Sequence, residues 1–124
     1  MAITVTFDVP TQTLQSRASG TVSYADVINH LTNARQQAPG VRELFDASGA
    51  TTNLTAEDVR DLARTATELF ESGKVGPTAV VATDGVLCEL AHMYEAFTAD
   101  LAVPFHVFQE VSPALAWLGA RPPR

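Results

Sequence analysis

The sequence predicts an α/β fold: a mixed, mostly parallel five-stranded sheet that opens with a hairpin and carries about four helices, in the order ββαβαβαβα. Three observations predict it. Residues 3–9 alternate apolar and polar with a period of two, as a strand with one wet face does. Thr78-Ala-Val-Val-Ala-Thr83 is instead an unbroken run of small, mostly apolar residues, the pattern of a parallel strand covered on both faces. The segments between such runs repeat at helical spacing and begin with helix-capping residues. Strands alternating with helices imply parallel pairing through right-handed crossovers.

In order, the first strand points Ile3, Val5, Phe7 and Val9 one way and Thr4, Thr6 and Asp8 the other. Pro10-Thr11-Gln12 breaks it, and a weaker strand over 13–21 carries Leu14 and Ala18 on one side, which predicts an antiparallel hairpin. A helix follows from Ser23 to about Ala38. Ser23 is its N-cap, Asp26 sits at N3, and Val22 with Val27 forms a hydrophobic staple. Val27, Ile28, Leu31, Ala34 and Ala38 make its apolar stripe, and Pro39-Gly40 ends it. A short strand, Arg42 to Ala47, leads into a polar loop, Ser48 to Asn53.

The second helix has the best start signal: Thr55 as N-cap, Asp58 at N3, and Leu54 stapled to Val59. Val59, Leu62, Ala63, Ala66, Leu69 and Phe70 repeat at helical spacing, and Gly73 closes the helix. After the strand at 78–83, Asp84 caps a third helix reaching about Asp100, with a broad apolar set that includes Leu87, Leu90, Tyr94 and Leu101. A last strand, Val103 to Phe108, precedes a short helix capped by Ser112 with Pro113 at N1 and Gly119 just past its end. Residues 1–120 read as one α/β domain and 121–124 as a tail.

Composition narrows the function classes. The net charge is −6 and only one basic residue is a lysine, Lys74, so nucleic acid and anionic membrane surfaces are poor partners. No apolar run is long enough to span a bilayer, and residues 1–9 lack the basic start of a signal peptide. A cytoplasmic location is expected by default. The lone cysteine, Cys88, excludes an intrachain disulfide and a zinc site built on paired cysteines. No Walker, Gly-x-Gly-x-x-Gly or Gly-x-Ser-x-Gly pattern occurs.

Few residues are candidates for chemistry. Ser48, Thr51, Thr52 and Thr55 make the 48–55 loop a candidate anion or phosphorylation site, because a hydroxyl-rich segment before a helix offers donors to a phosphate. Turns and caps use the same residue types. Cys88 and His92 lie at i and i+4 with Glu89 and Glu95 nearby, but no further ligand has metal-site spacing. A thiol nucleophile pairing Cys88 with His106 or His30 has no local support, since the neighbouring acids would raise the thiol. Trp117 with Tyr94, Phe97, Phe105 and Phe108 fits either core or a pocket for a lipid-like molecule. Val86, Leu90, Met93 and Phe97 form a candidate interaction face on the third helix.

Several stretches carry a family resemblance: Gly20-Thr-Val-Ser-Tyr24 before the first helix, Glu43-Leu-Phe-Asp-Ala47, Leu90-Ala-His-Met-Tyr94, Val107-Phe108, and Ala114-Leu-Ala-Trp-Leu-Gly119. With the order of elements, they resemble the STAS/SpoIIAA-like superfamily, whose best-known members are bacterial anti-sigma-factor antagonists. The resemblance implies a parallel sheet wound as a β-α superhelix and a non-enzymatic role in binding proteins or small ligands. Antagonists of that type carry a phosphorylated serine in an Asp-Ser-Ser/Thr-Gly stretch at the start of the second helix. Here Asn53-Leu-Thr-Ala-Glu57 stands instead, and Thr55 is the nearest hydroxyl by position.

The expectation is a regulatory or scaffold domain that works through protein contacts, with a second copy of the chain able to cover the third helix. The alternative is a binding protein for a small lipid-like or anionic ligand. Neither needs a cofactor or metal. An enzyme would need Asp46, Asp84, His92 and His106 to converge.

Overall fold

The computed structural model describes residues 2–99 and 103–123. Its elements are β1 (Ile3–Asp8), β2 (Thr13–Val22), α1 (Tyr24–Asn29), β3 (Arg42–Thr52), α2 (Ala56–Glu71), β4 (Thr78–Val81), α3 (Gly85–Ala99), β5 (Phe105–Phe108) and α4 (Val111–Gly119). The five strands lie in the order β1-β2-β3-β4-β5. β1 and β2 are antiparallel, and every other neighbouring pair is parallel.

Alternation along the strands sorts the side chains onto two faces. On one, Ile3, Ala18, Val22 and Ala47 pack with Leu87 of α3, while Leu31 meets Leu62 and Ala66 of α2. On the other, Leu44, Ala79 and Val81 pack on Ala114 and Leu118 of α4. Three helices thus cover one face and one helix the other.

Both expected capping boxes form. Asp26 N–H donates to Ser23 Oγ, and Ser23 N–H donates back to Asp26. Thr55 and Asp58 do the same at α2. Gly73 then turns the chain with φ of 75°, a conformation other residues rarely adopt.

Four departures from the sequence reading matter. β3 runs on to Thr52, so 48–52 is strand, not loop. β2 supplies the reason: after a register shift between Arg17 and Ser19, it extends to Val22 and pairs Ser19–Val22 with Gly49–Thr52. A continuing parallel ladder satisfies backbone groups whatever the local propensity. α4 begins at Val111 with Glu110 at the N-cap, and no side chain caps it. β5 starts at Phe105, after Pro104, which has no N–H to give a ladder. The first helix holds α-geometry only to Asn29. It then widens into a π-helical turn (His30–Ala34) and tightens into a 3₁₀ turn (Arg35–Gln37). The expected members Asp100 and Leu101 of the third helix fall outside the described residues. Among those described, no helix is long and apolar enough to cross a membrane.

Candidate functional site

The irregular end of the first helix exists beside a buried charge. Glu43 stands second in β3, on the face that alternation turns toward α1–α3. It is 1% exposed, with Arg35 at 3% and His30 at 4%. In an α-helix, residues five apart point about 140° away from each other. A π-helical turn closes i to i+5 and brings them to one side. The Arg35 N–H donates to the His30 carbonyl across this turn. Both side chains then reach the same carboxylate: His30 Nε2 lies 2.6 Å from Glu43 Oε2, and Arg35 Nη1 lies 3.3 Å from Oε1. Ser16 of β2 donates its hydroxyl to Oε2 at 2.5 Å.

Burial alone would push the Glu43 carboxyl up. The Arg35 charge and the His30 and Ser16 hydrogen bonds outweigh it and lower the group from 4.5 to about 2. Glu43 is therefore an ionised acceptor, so Nε2 of His30 carries a proton and donates. Nδ1 of His30 is buried without a partner among the described residues. Arg35 also ties the helix end to the loop before β4, donating to Thr78 Oγ1 (2.9 Å), the Gly76 carbonyl (3.2 Å) and the Val41 carbonyl (3.4 Å). Gly76 must lack a side chain here, because a Cβ would sit 2.4 Å from the Gly40 carbonyl oxygen.

Above this cluster, between α1–α3 and the sheet, lies a cavity of about 120 Å³. Phe45, Val80, Leu90, Ala91 and Phe105 are among its apolar walls; among the described residues its polar lining residues are His30, Thr78 and Tyr94. The Tyr94 ring packs against Phe105 with centroids 4.5 Å apart. Burial raises its phenol, with opposing contributions from Arg35 and Glu43, so the hydroxyl keeps its proton.

The expected site residues fall in other places. Ser48, Thr51 and Thr52 lie in β3. Ser48 bonds Asp46, Thr51 faces the Thr21 hydroxyl, and Thr52 donates to the Val22 carbonyl. Thr55 caps α2. These hydroxyls serve strand ends and a cap. The third-helix set divides: Leu90 lines the cavity, Met93 and Phe97 line a groove toward α2, and Val86 is exposed. Trp117 and Phe108 pack on the α4 side, away from the cavity.

Cys88 is half-buried against the core. Of the four residues an enzyme would need together, Asp46 bonds Ser48, Asp84 accepts from the Leu87 N–H at the start of α3, and His92 and His106 both bond Glu95. No group of three or more His, Cys, Asp or Glu among the described residues is arranged to hold a metal.

The cluster of Glu43, His30 and Arg35 has one legible signal. His30 follows Val27 by three residues and Arg35 follows Leu31 by four, so both sit on or beside the apolar stripe of the first helix. A charged residue on such a stripe calls for a buried partner.

The element order, sheet topology and helix placement are those of a SpoIIAA-like fold. One solved structure carries it at length: an uncharacterised protein of the DUF3478 family with a SpoIIAA-like fold, from Shewanella loihica PV-4. It is 18% identical, with a TM-score of 0.55 over 94% of this chain and 92% of that one. No protein-family model matches the chain, and no curated protein does.

Proposed function

We propose that this protein binds a small, mainly apolar molecule in the cavity between α1–α3 and the sheet. The observation that carries the reading is the cavity itself: about 120 Å³ of space with almost wholly apolar walls, beside a cluster whose charges are already matched. The space is partly open rather than sealed, so a ligand can reach it. An apolar cavity only slightly larger, roughly 150 Å³, is known to take up benzene. The reading favours the ligand-carrier alternative over chemistry, since Asp46 and Asp84 bond different neighbours, apart from His92 and His106, which meet on Glu95. Thermal unfolding with benzene or cyclopentane at millimolar concentration tests it. Binding to the folded state raises the midpoint logarithmically with ligand concentration once it exceeds Kd. Ala91→Phe, which fills the cavity from α3, should erase that rise. A midpoint indifferent to both molecules would overturn the reading.

A second reading, contact with a protein partner or a second copy, is supported by Val86, 57% exposed at the start of α3, and by the open groove where Met93 and Phe97 lie. Light scattering at high micromolar concentration tests the second copy; monomer alone would remove it.

A further inference from the structure

We infer that the molecule taken up in this cavity is neutral and carries an oxygen acceptor, which receives the Tyr94 hydroxyl. The inference rests on the cavity-binding reading and names the class of ligand. Of the polar residues in the wall among those described, Thr78 is engaged, and His30 is engaged at Nε2 only. Thr78 donates its hydroxyl to the Gly76 carbonyl at 3.1 Å and accepts from Arg35. His30 gives its Nε2 proton to Glu43, and its Nδ1 is shut away from solvent. The Tyr94 hydroxyl has no hydrogen-bond partner among the described residues. Among the described residues the buried side-chain atoms without a partner are His30 Nδ1 and Arg42 Nε, so the Tyr94 hydroxyl keeps some accessible surface. Tyr94 is part of the cavity wall, so a bound molecule is the acceptor within its reach.

Charge selects against an anion. No cationic side chain among the described residues lines the cavity. Arg35, behind the wall, is matched by Glu43 and by three further acceptors. A carboxylate or phosphate entering this space would meet the Glu43 charge with no counter-ion of its own. A cation would leave the Tyr94 proton without an acceptor. A ketone, ether or alcohol of about six heavy atoms fits both the volume and the donor.

The test compares two probes of one shape, cyclopentanone and methylenecyclopentane, which differ in a single oxygen. Affinities for each are measured by NMR titration on the wild-type protein and on Tyr94→Phe. The expected result is a ketone affinity weakened roughly three- to tenfold by the substitution, the range of one neutral hydrogen bond, with the hydrocarbon unchanged or tighter. In the wild-type protein the carbonyl carbon of bound ketone should resonate downfield of its position in hexane. That signal needs no variant, so it decides the matter if Tyr94→Phe does not fold. Equal effects on both probes, or a bound carbonyl with its hexane shift, would overturn the inference and leave the cavity reading standing. Absence of binding by either probe would overturn both.

Discussion

Helices α1 and α2 begin alike and continue differently. Each opens with a capping box, closed by bonds of nearly equal length: 3.2 and 2.9 Å at Ser23–Asp26, 3.1 and 3.0 Å at Thr55–Asp58. α2 then runs regularly for 16 residues. Its buried positions are Val59, Leu62, Ala63, Ala66 and Thr67, and the Thr67 hydroxyl returns to its own helix at the Ala63 carbonyl. Nothing on that face must reach a fixed point elsewhere. α1 keeps α-geometry for 6 residues and then changes pitch twice, because His30 and Arg35 must meet one carboxylate. A regular stripe is the solution for burying area. A wide turn is the solution for bringing two donor side chains, five residues apart, onto one buried anion.

The largest effect should come from breaking that meeting point. Arg35→Met leaves Glu43 buried without its counter-charge, which costs about 3–5 kcal/mol. Leu62→Ala on α2 should cost a comparable amount, about 2–5 kcal/mol, by opening a void. Denaturant unfolding measures both. The double substitution Arg35→Met with Glu43→Leu sharpens the contrast: it removes both charges and should regain most of the single-variant loss. If the double variant is no more stable than Arg35→Met, the ion pair is not what the turn is built around.

The two helices should also differ in their response to acid. The folded carboxyl of Glu43 is held at about 2 against an ordinary 4.5. Its stabilising contribution is therefore complete above about pH 4.5 and disappears as the pH falls toward 2. The shift corresponds to on the order of 3 kcal/mol. Unfolding free energy measured across that window should fall more steeply in the wild type than in Glu43→Gln. Leu62→Ala should keep the wild-type slope at a lower overall stability. A Glu43→Gln profile parallel to wild type would mean that other carboxylates govern the acid limb. A smaller loss is expected from Ser16→Ala, which removes one hydroxyl from a charged acceptor: about 1.5–3 kcal/mol, with the slope reduced but retained.

This contrast also explains what can be read from the sequence. α2 is legible almost to the residue because cap, staple and stripe are local signals that agree. The hairpin and the alternation of strand and helix are legible for the same reason. The end of the first helix is not, because its shape is set by Glu43, eight residues past Arg35 and on another element. The stripe residues Leu31 and Ala34 predict a continuing α-helix, and locally nothing contradicts them. The extension of β3 through Ser48–Thr52 is hidden likewise: its hydroxyls suit a loop, and only the neighbouring β2 backbone makes them strand. The cavity is further out of reach, since empty space depends on how Leu90, Ala91, Phe45 and Phe105 from three elements fail to meet.

The smallest effects should separate each cap from the helix it opens. Ser23→Ala and Thr55→Ala each remove one side-chain acceptor from an N3 amide, and each should cost about 1 kcal/mol. The two boxes are alike, so the losses should agree within a few tenths. Their consequences for the acid slope decide where the wide turn is fixed. If the contacts of His30 and Arg35 with Glu43 hold it, Ser23→Ala loosens only the first turn of α1. The slope between pH 4.5 and 2 then stays that of wild type, as it must for Thr55→Ala. If the turn were instead a mechanical consequence of how α1 starts, loosening the start would let His30 and Arg35 drift from Glu43. The carboxyl would rise toward its ordinary value, and Ser23→Ala alone would flatten the slope. The four interactions that converge on Glu43 and Arg35 from β2, β3, β4 and the loop before β4 favour the first outcome, because each is anchored on elements that the cap does not touch.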